Sequence, residues 1–244
     1  MKQTGGSEGQ KRRAGEHAAG RVEDGTVVGL GTGSTAAHAI RVLGDRVDAG
    51  LDVVGVPTSF ASRELAREAG VPVVDLDAVD GVDVAIDGAD QVVGVHPADA
   101  TGDADVVLVK GGGAAHAREK YVDAAADALH VVADPSKLAD GVDHPIPVEV
   151  LPDARTVVAD AVRERGGDPA LRRADRKDGP VVTDNGNVVL DCTFDATDDP
   201  VGLANALSAT PGVVEHGLFV DLADAVHVGT SDGVDVHAFD DRDD

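Results

Sequence analysis

Residues 26–43 of the chain read TVVGLGTGSTAAHAIRVL, and this stretch decides the fold. Residues 26–30 are a Val-rich run of strand length, residues 31–35 form a turn rich in glycine and hydroxyl groups, and residues 36–43 have a helical composition. Short apolar strands that alternate with helices are typical of a parallel sheet covered on both faces. The stretch therefore predicts the first strand, loop and helix of a doubly wound, Rossmann-like α/β domain.

The same alternation of strands and helices continues to about residue 140. We predict strands at 53–56, 71–75, 82–86, 106–109 and 130–133, and helices at 11–23, 59–69 and 114–128. The polar residues between Val92 and Val106 predict an exposed loop. This part of the chain therefore has the pattern of an α/β domain built on a parallel sheet.

Beyond residue 147 the pattern changes to that of an α+β block. We predict strands at 148–150, 181–182 and 188–192, and helices at 154–165 and 202–207. Residues 184–187 read DNGN, and Asn-Gly accepts the positive φ values of a tight hairpin turn. The last predicted strands, 217–220 and 225–228, could join either domain, and we predict a loose acidic tail for residues 240–244.

The composition is acidic and poor in aromatic side chains. The 244 residues include 45 acidic and 21 basic ones, a net charge of −24, and only 2% are aromatic. Such a surface repels phosphate backbones and offers few platforms for base stacking, which argues against nucleic-acid binding. We expect a solvated surface turn for the nearest basic group, which comprises Arg172, Arg173, Arg176 and Lys177.

The charge also indicates the solvent for which this surface is built. Acidic side chains repel one another at ordinary salt, whereas at molar salt the Debye length falls to about 3 Å and the repulsion is screened. Abundant Asp and scarce Lys therefore predict a halophilic protein, with an ordinary acidic protein as the alternative. The lone Cys192 permits no internal disulfide, and we expect it to be a small core side chain. Because no signal segment or long apolar stretch is found, we expect a cytoplasmic location.

Three predicted strand ends carry unusual loops, and the carboxyl ends of parallel strands meet at one edge, where ligands bind. The first loop, residues 31–35, joins a flexible backbone, hydroxyl groups and a helix N-terminus, which are the features of an anion site. It matches neither a Walker A loop nor the GxGxxG dinucleotide motif. A tight strand-to-helix connection without a ligand is the alternative.

The second and third loops carry charged side chains. In DGAD, residues 87–90, the two Asp side chains could position sugar hydroxyls, transfer protons or bind a cation, or one could cap the next segment. In KGGG, residues 110–113, the glycines let the backbone approach a ligand closely and offer N–H groups to an oxyanion. Glu119 follows on the next helix, where a solvated helical Glu is the alternative. We expect His116 to be a surface or packing residue rather than a base.

The nine histidines have none of the spacings of metal-binding motifs. We therefore expect no zinc site and disfavour a metal-dependent hydride shift. The sequence also has no Ser-His-Asp nucleophile elbow.

Six motifs in the same order resemble ribose-5-phosphate isomerase of the A type over nearly the whole chain. They are GLGTGSTAA from Gly29, DGAD from Asp87, KGGGAA from Lys110 with the REK that ends at Lys120, ADPSK from Ala133, PVEV from Pro147 and VTDNGN from Val182. Each motif is modest alone, and six in the right order make the match specific. The departures are Gln91, where the family usually has Glu, and two segments that look extended, 92–106 and 172–179.

The resemblance implies the interconversion of D-ribose 5-phosphate and D-ribulose 5-phosphate through an enediolate, without a cofactor. It implies Glu119 as the general base, Lys110 and the amides of residues 111–113 as the groups that stabilise the enediolate oxygens, and Asp87 with Asp90 for ring opening and hydroxyl binding. Lys11 is a further candidate near the phosphate. The implied substrate-binding residues are Thr32, Gly33, Ser34, Thr35, Asp87, Gly88, Ala89, Asp90, Lys110, Gly111, Gly112, Gly113 and Lys137.

The resemblance also implies a large α/β catalytic domain, residues 1–144 and 212–244, and a smaller α+β lid domain, residues 145–211, inserted before the C-terminal strands. It implies a homodimer or homotetramer that binds a small sugar phosphate. From the acidic composition and the lack of a long apolar stretch we expect no nucleic-acid or membrane partner. A non-catalytic sugar-phosphate sensor is one alternative, but we would expect it to lack Glu119 or Lys110 and to carry a DNA-binding helix pair. An amino-sugar phosphate isomerase is the other, and the KGGG and DGAD pair disfavours it.

Overall fold

The computed structural model describes residues 6–95, 106–195 and 199–239. The helices in these ranges are Glu8–Ala19 (α1), Ala36–Asp48 (α2), Phe60–Glu68 (α3), His116–Ala124 (α4), Arg155–Glu164 (α5) and Pro200–Ser208 (α6). The strands are Thr26–Leu30 (β1), Val53–Pro57 (β2), Val82–Gly88 (β3), Gln91–Val93 (β4), Val107–Val109 (β5), Ala126–Ala133 (β6), Leu138–Ala139 (β7), Ile146–Val150 (β8), Gly167–Leu171 (β9), Val188–Phe194 (β10), Val213–His216 (β11), Leu218–Val220 (β12), Ala225–Gly229 (β13) and Val234–Ala238 (β14).

The largest sheet has six strands in the order β14-β13-β6-β3-β1-β2. Strands β13, β6, β3, β1 and β2 are parallel, and β14 runs antiparallel at the edge. Successive side chains of a strand point to opposite faces, and in β6 Val132 joins one core while Val131 joins the other. Helices α1 and α2 cover the first face and α4 contributes Val122 to the second, which confirms the prediction of a largely parallel α/β sheet.

The described residues also form two four-stranded sheets. One is antiparallel, in the order β11-β8-β10-β9, and packs against α5 and α6. The other has the order β12-β5-β4-β7 and lies between two cores, because Leu108 of β5 faces the core of the large sheet while Val107 and Val109 face the core of the antiparallel sheet. This middle sheet therefore joins the two halves of the molecule directly behind the glycine loop that follows β5.

Several predicted bounds are corrected by the structure. Helix α1 begins at Glu8 rather than 11 because Ser7 and Gln10 form a capping box that defines an earlier start. The predicted strand at 71–75 is wrong. Val73 makes only an isolated bridge to Gly55, beside Pro72, which has no N–H to donate. The predicted helix 114–128 ends at Ala124, and β6 starts two residues later.

The hairpin turn at DNGN is confirmed. Gly186 has a φ of 86°, its N–H donates to Thr183 O at 2.9 Å, and Val182 bridges Val188 across the turn. Of the C-terminal strands that had two possible destinations, β12 joins the middle sheet and β13 joins the parallel sheet. The division at 1–144, 145–211 and 212–244 stays a prediction. Residues 96–105 of the predicted loop and the predicted tail, 240–244, lie outside the described residues.

Candidate active site

The three unusual loops meet around one cavity of about 240 Å³ at the carboxyl edge of the parallel sheet. Of the predicted site residues, Asp87 alone is absent from the wall, because it is fully buried just behind it. The cavity wall consists of Glu8, Lys11, Thr32, Gly33, Ser34, Thr35, Gly88, Ala89, Asp90, Lys110, Gly111, Gly112, Gly113, Glu119 and Lys137. The sequence-predicted residues are thus brought together, and Lys11 lies with them.

The first loop approaches the second so closely that only glycine fits at position 31. A Cβ atom there would collide with the carboxyl group of Asp87. Thr32 N instead donates to Asp87 Oδ1 at 2.9 Å, and Thr32 Oγ1 lies 2.8 Å from Thr58 Oγ1 and donates to Ser59 Oγ at 2.7 Å. The loop then enters α2 at Ala36, so the positive end of the helix faces the cavity.

Asp87 and Lys110 form a buried ion pair beneath the cavity. Lys110 Nζ lies 2.8 Å from Asp87 Oδ2, donates to Gly88 O at 2.6 Å, and lies 3.6 Å from Asp123 Oδ2. Burial raises the pKa of Asp87, although Lys110 acts against the shift. Burial by itself lowers the pKa of Lys110, but the charges of Asp87, Glu119 and Asp123 outweigh it and raise that pKa above its ordinary value.

Glu119 is a buried residue of α4 at the cavity wall, with only 3% of its surface exposed. The alternative of a solvated helical Glu is therefore wrong. Burial, together with the negative charges of Asp87 and Asp123, raises the pKa of Glu119 well above its ordinary value, against the opposing effect of Lys110. Burial likewise raises the pKa of Asp123 to about 8. Three buried carboxyl groups thus surround one ammonium group.

The second aspartate of DGAD has a different environment from the first. Asp90 lines the cavity, and its Oδ2 accepts a hydrogen bond of 2.6 Å from Gly112 N. The carboxylate therefore lies between the cavity and the glycine loop. Position 111 requires glycine, because its φ is 104° and a Cβ would lie 2.6 Å from His116 Nδ1.

Two lysines contribute positive charge to the wall near the first loop. Lys137 follows β6 in a short turn whose start is capped by Asp134, which accepts from Ser136 N at 3.0 Å. Lys11 lies on α1 with its Nζ 3.4 Å from Glu8 Oε1. With the N-terminus of α2, these side chains make one end of an otherwise acidic cavity suitable for an anion.

Sequence reasoning missed Glu8 of the cavity wall and three residues that lie behind the wall. Asp123 lies one helical turn beyond Glu119, a spacing that could have identified it. Glu149 is a fully buried acid in an apolar strand, and its Oε1 accepts from Thr183, Asn185 and Asn187 at 2.8–3.1 Å. Arg172, expected in a solvated turn, instead pairs with Asp191 and donates to the glycine loop, so that expectation is wrong for this residue.

His116 is fully buried and its Nε2 accepts from Glu149 N at 3.1 Å. Burial lowers the pKa of His116 to about 3, which keeps the ring neutral. These contacts confirm the expectation of a packing residue. Cys192 is also buried, as expected of a core side chain.

Comparison with known proteins identifies the family. The family model described as Ribose 5-phosphate isomerase A (phosphoriboisomerase A) matches residues 54–233. The chain belongs to this family. Ribose-5-phosphate isomerase A of Haloarcula marismortui is 66% identical over 236 residues, 97% of this chain and 98% of the relative. Ribose-5-phosphate isomerase A of Halorubrum lacusprofundi is 64% identical over 242 residues, 97% of this chain and 99% of the relative.

Solved structures of the family have the same fold. Ribose 5-phosphate isomerase A from Methanocaldococcus jannaschii is 45% identical, with a TM-score of 0.86 over 93% of this chain and 97% of that one. A D-ribose-5-phosphate isomerase in complex with phospho-erythronic acid is 41% identical, with a TM-score of 0.87 over the same shares. The chain is therefore an enzyme of a family that isomerises D-ribose 5-phosphate. Its similarity to proteins of halophilic archaea agrees with the acidic composition.

The described residues contain no helix that is both long enough and apolar enough to cross a membrane. The same residues contain no group of three or more His, Cys, Asp and Glu side chains that could hold a metal ion.

Proposed function

We propose that the chain interconverts D-ribose 5-phosphate and D-ribulose 5-phosphate through an enediolate, with Glu119 as the general base that carries the proton between C1 and C2. A carboxylate with its pKa raised toward neutrality is a stronger base than an exposed one. The raised pKa of Glu119 and its burial at the cavity wall support this role. The observation that carries the proposal is this buried carboxyl beside the Lys110 and glycine-loop groups.

Negative charge that develops on the substrate oxygens needs stabilisation in a site with little water. We assign this role to Lys110 and to the N–H groups of residues 111–113, which line the cavity. Because Lys110 already contacts Asp87 and Gly88 O, its contribution is that of a fixed positive charge rather than a mobile acid. The charge also opposes full protonation of Glu119, which must be ionised to accept a proton.

The phosphate group of the substrate would bind at the cationic end of the cavity. Residues 32–35 offer hydroxyl and N–H groups at the start of α2, and Lys11 and Lys137 supply the charge. The related isomerase solved with phospho-erythronic acid binds a phosphorylated sugar acid. The carboxylate of this sugar acid holds two oxygens in one plane, and an enediolate likewise has two neighbouring oxygens in one plane. A ligand with both a phosphate and such a carboxylate supports a phosphate site and an oxyanion site in one cavity.

The two aspartates would serve the sugar ring and its hydroxyls. Asp90 lines the cavity and can accept a hydrogen bond from a substrate hydroxyl while it holds Gly112 N. Asp87 lies behind the wall, so its part in ring opening would depend on Lys110 and on the Thr32 amide that it fixes.

The experiment is an assay with D-ribose 5-phosphate on the parent, on Glu119→Gln and on Glu164→Gln, a matched change at an exposed glutamate of α5. Gln keeps the shape and helix propensity but removes the basic carboxylate, so we expect kcat to fall at least about a hundredfold. KM should change little, because the phosphate contacts lie in other loops. Near-parental turnover by Glu119→Gln would exclude Glu119 as the base, and an inactive parent would exclude the proposed reaction.

A further inference from the structure

Arg172 follows the last residue of β9, and both its backbone and its side chain are fixed by the antiparallel sheet. Its N–H donates to Val189 O at 2.9 Å, and its carbonyl accepts from Val181 N at 3.0 Å. Its Nε lies 3.2 and 3.0 Å from the two carboxylate oxygens of Asp191, and Nη2 donates to the same group. The guanidinium is therefore held in one orientation, with 11% of the side chain exposed.

The remaining nitrogen, Nη1, contacts the glycine loop across the molecule. It donates to Gly111 O at 2.8 Å and to Gly112 O at 3.3 Å, so both carbonyl groups are turned toward Arg172. In a trans peptide the C=O and N–H bonds point in opposite directions. The N–H groups of Gly112 and Gly113 are thus turned away from Arg172. That of Gly112 donates to Asp90, and Gly113 lines the cavity.

We propose that Arg172, held by Asp191, is a positioning residue for the isomerisation. It fixes the two peptide groups that present Gly112 N–H to Asp90 and Gly113 N–H to an oxygen of the enediolate. This inference rests on the proposed function and adds to it a residue outside the cavity wall. It concerns how the oxyanion-binding N–H groups are oriented, and it leaves the base and the phosphate contacts unchanged.

A loop with three consecutive glycines needs such a contact because glycine adopts many backbone conformations at little cost. Without the two hydrogen bonds from Nη1, rotation of either peptide would turn a carbonyl oxygen toward a developing negative charge. Arg suits the task because its planar group can bind a carboxylate on one edge and carbonyl oxygens on another. Lys has the same charge but a single nitrogen, so it cannot bind Asp191 and both carbonyls in this geometry.

The first test is the kinetics of Arg172→Lys, with Arg176→Lys at an exposed neighbouring site as the matched control. We expect kcat of Arg172→Lys to fall about tenfold or more, because small misplacement of stabilising groups is costly. KM for ribose 5-phosphate should stay within about threefold of the parent's. Arg176→Lys should keep the parental kcat. Parental kcat in Arg172→Lys would overturn the inference.

The second test separates positioning from general loss of structure. Inhibition by phospho-erythronic acid and by inorganic phosphate is measured on the parent, Arg172→Lys and Asp191→Asn. We expect both variants to bind the sugar acid about tenfold more weakly, because in the proposed site its carboxylate would accept from the glycine-loop N–H groups. Their affinity for inorganic phosphate should equal the parent's. Equal weakening for both inhibitors would overturn the inference, since it would indicate a deformed cavity.

These results are distinct from a failure of the proposed function. An inactive parent, or an active Glu119→Gln, contradicts the proposed function directly. An active parent and an inactive Glu119→Gln, combined with parental kcat in Arg172→Lys, contradict only the role of Arg172.

Discussion

Two polar clusters of the parallel-sheet region, one buried and one partly buried, differ in charge balance and in access to the cavity. The acidic cluster, Asp87, Lys110, Glu119 and Asp123, surrounds one ammonium group with three carboxyl groups, and two of its members line the cavity. The histidine cluster, His17, His130 and His227, contains only bases. In it His17 Nδ1 lies 2.9 Å from His227 Nδ1, and the rings of His130 and His227 are 5.0 Å apart.

The histidine cluster forms a directional chain of hydrogen bonds. Arg21 Nη1, which can only donate, lies 2.6 Å from His17 Nε2. His17 Nε2 must therefore accept, its Nδ1 carries the proton of the neutral ring, and that proton is donated to His227 Nδ1. Burial, with the neighbouring His130, His17 and Arg21, lowers the pKa of His227 to about 3.

The difference shows that a shifted pKa by itself does not identify a catalytic group. In the acidic cluster the shifts move the pKa values of the carboxyl groups upward, and one of these groups, Glu119, lines the cavity, where a ligand could reach it. In the histidine cluster the shifts move the pKa values away from neutral pH and keep the rings uncharged. The direction of the shift and the access to a ligand distinguish a reactive cluster from a structural one.

The largest effect is expected for Lys110→Met, which removes the cation from the acidic cluster. The variant should lose about 3–5 kcal/mol of unfolding free energy at pH 8, because buried charges are left without their partner. The loss should be smaller at pH 5.5. Carboxyl groups whose folded-state pKa is raised bind protons at lower pH, so their cost grows as pH rises. Urea unfolding at both pH values is the measurement, with Lys177→Met, at an exposed residue, as control. A loss that does not depend on pH would contradict this account.

The histidine cluster should produce the opposite pH dependence. A folded-state pKa of about 3 for His227, against about 6.5 in the unfolded chain, means that stability is complete above pH 6.5 and falls as pH decreases. Because of this histidine alone, the unfolding free energy of the parent should fall by about 2 kcal/mol as the pH decreases from 7 to 5. In His227→Gln, which retains an acceptor for His17, the unfolding free energy should not show this decrease with falling pH. An unchanged slope in thermal or urea unfolding would show that His227 does not titrate in this way.

The smallest effect is expected for salt on the changes in unfolding free energy that Lys110→Met and His227→Gln cause. Molar KCl should raise the unfolding free energy of the parent, since it screens the surface that produces the net charge of −24. Buried pairs are screened much less, so the differences made by Lys110→Met and His227→Gln should change by under about 0.5 kcal/mol. A parent equally stable at low and molar salt would contradict the inference of a halophilic surface.

The cavity loops could be predicted from the sequence because their signals are local. Gly31, Asp87 and Gly111 each stand where an apolar strand stops, and strand ends of a parallel sheet share one edge. Strand β9 could not be predicted because Gly167 and Pro169 weaken the pattern of a strand. The structure tolerates both residues because β9 lies at the edge of its sheet.

Arg172 could not be distinguished from its basic neighbours by sequence. One polar run contains Arg172, Arg173, Arg176 and Lys177. Arg172 differs from the others by its contact with Gly111, which lies 61 positions earlier in the sequence. Glu149 offered a better signal, because an acid within an apolar strand needs buried donors. Two of the donors lie in the DNGN turn and the third, Thr183, directly precedes it, and the pairing of β8 with β10 brings them to Glu149.

The contact between Arg172 and the glycine loop affects when the site can form during synthesis of the chain. Every residue of the cavity wall belongs to the first 137 positions, so a growing chain contains the complete wall before Arg172 and Asp191 have been synthesised. Contacts between distant positions form late in folding, because they must first close a long segment of chain. The glycine loop therefore acquires its final peptide orientations only when the antiparallel sheet has folded. On the proposed role of Arg172, activity would be a property of the finished chain, and a ribosome-bound segment that already carries Glu119 and Lys110 would lack the orienting contact of the glycine loop.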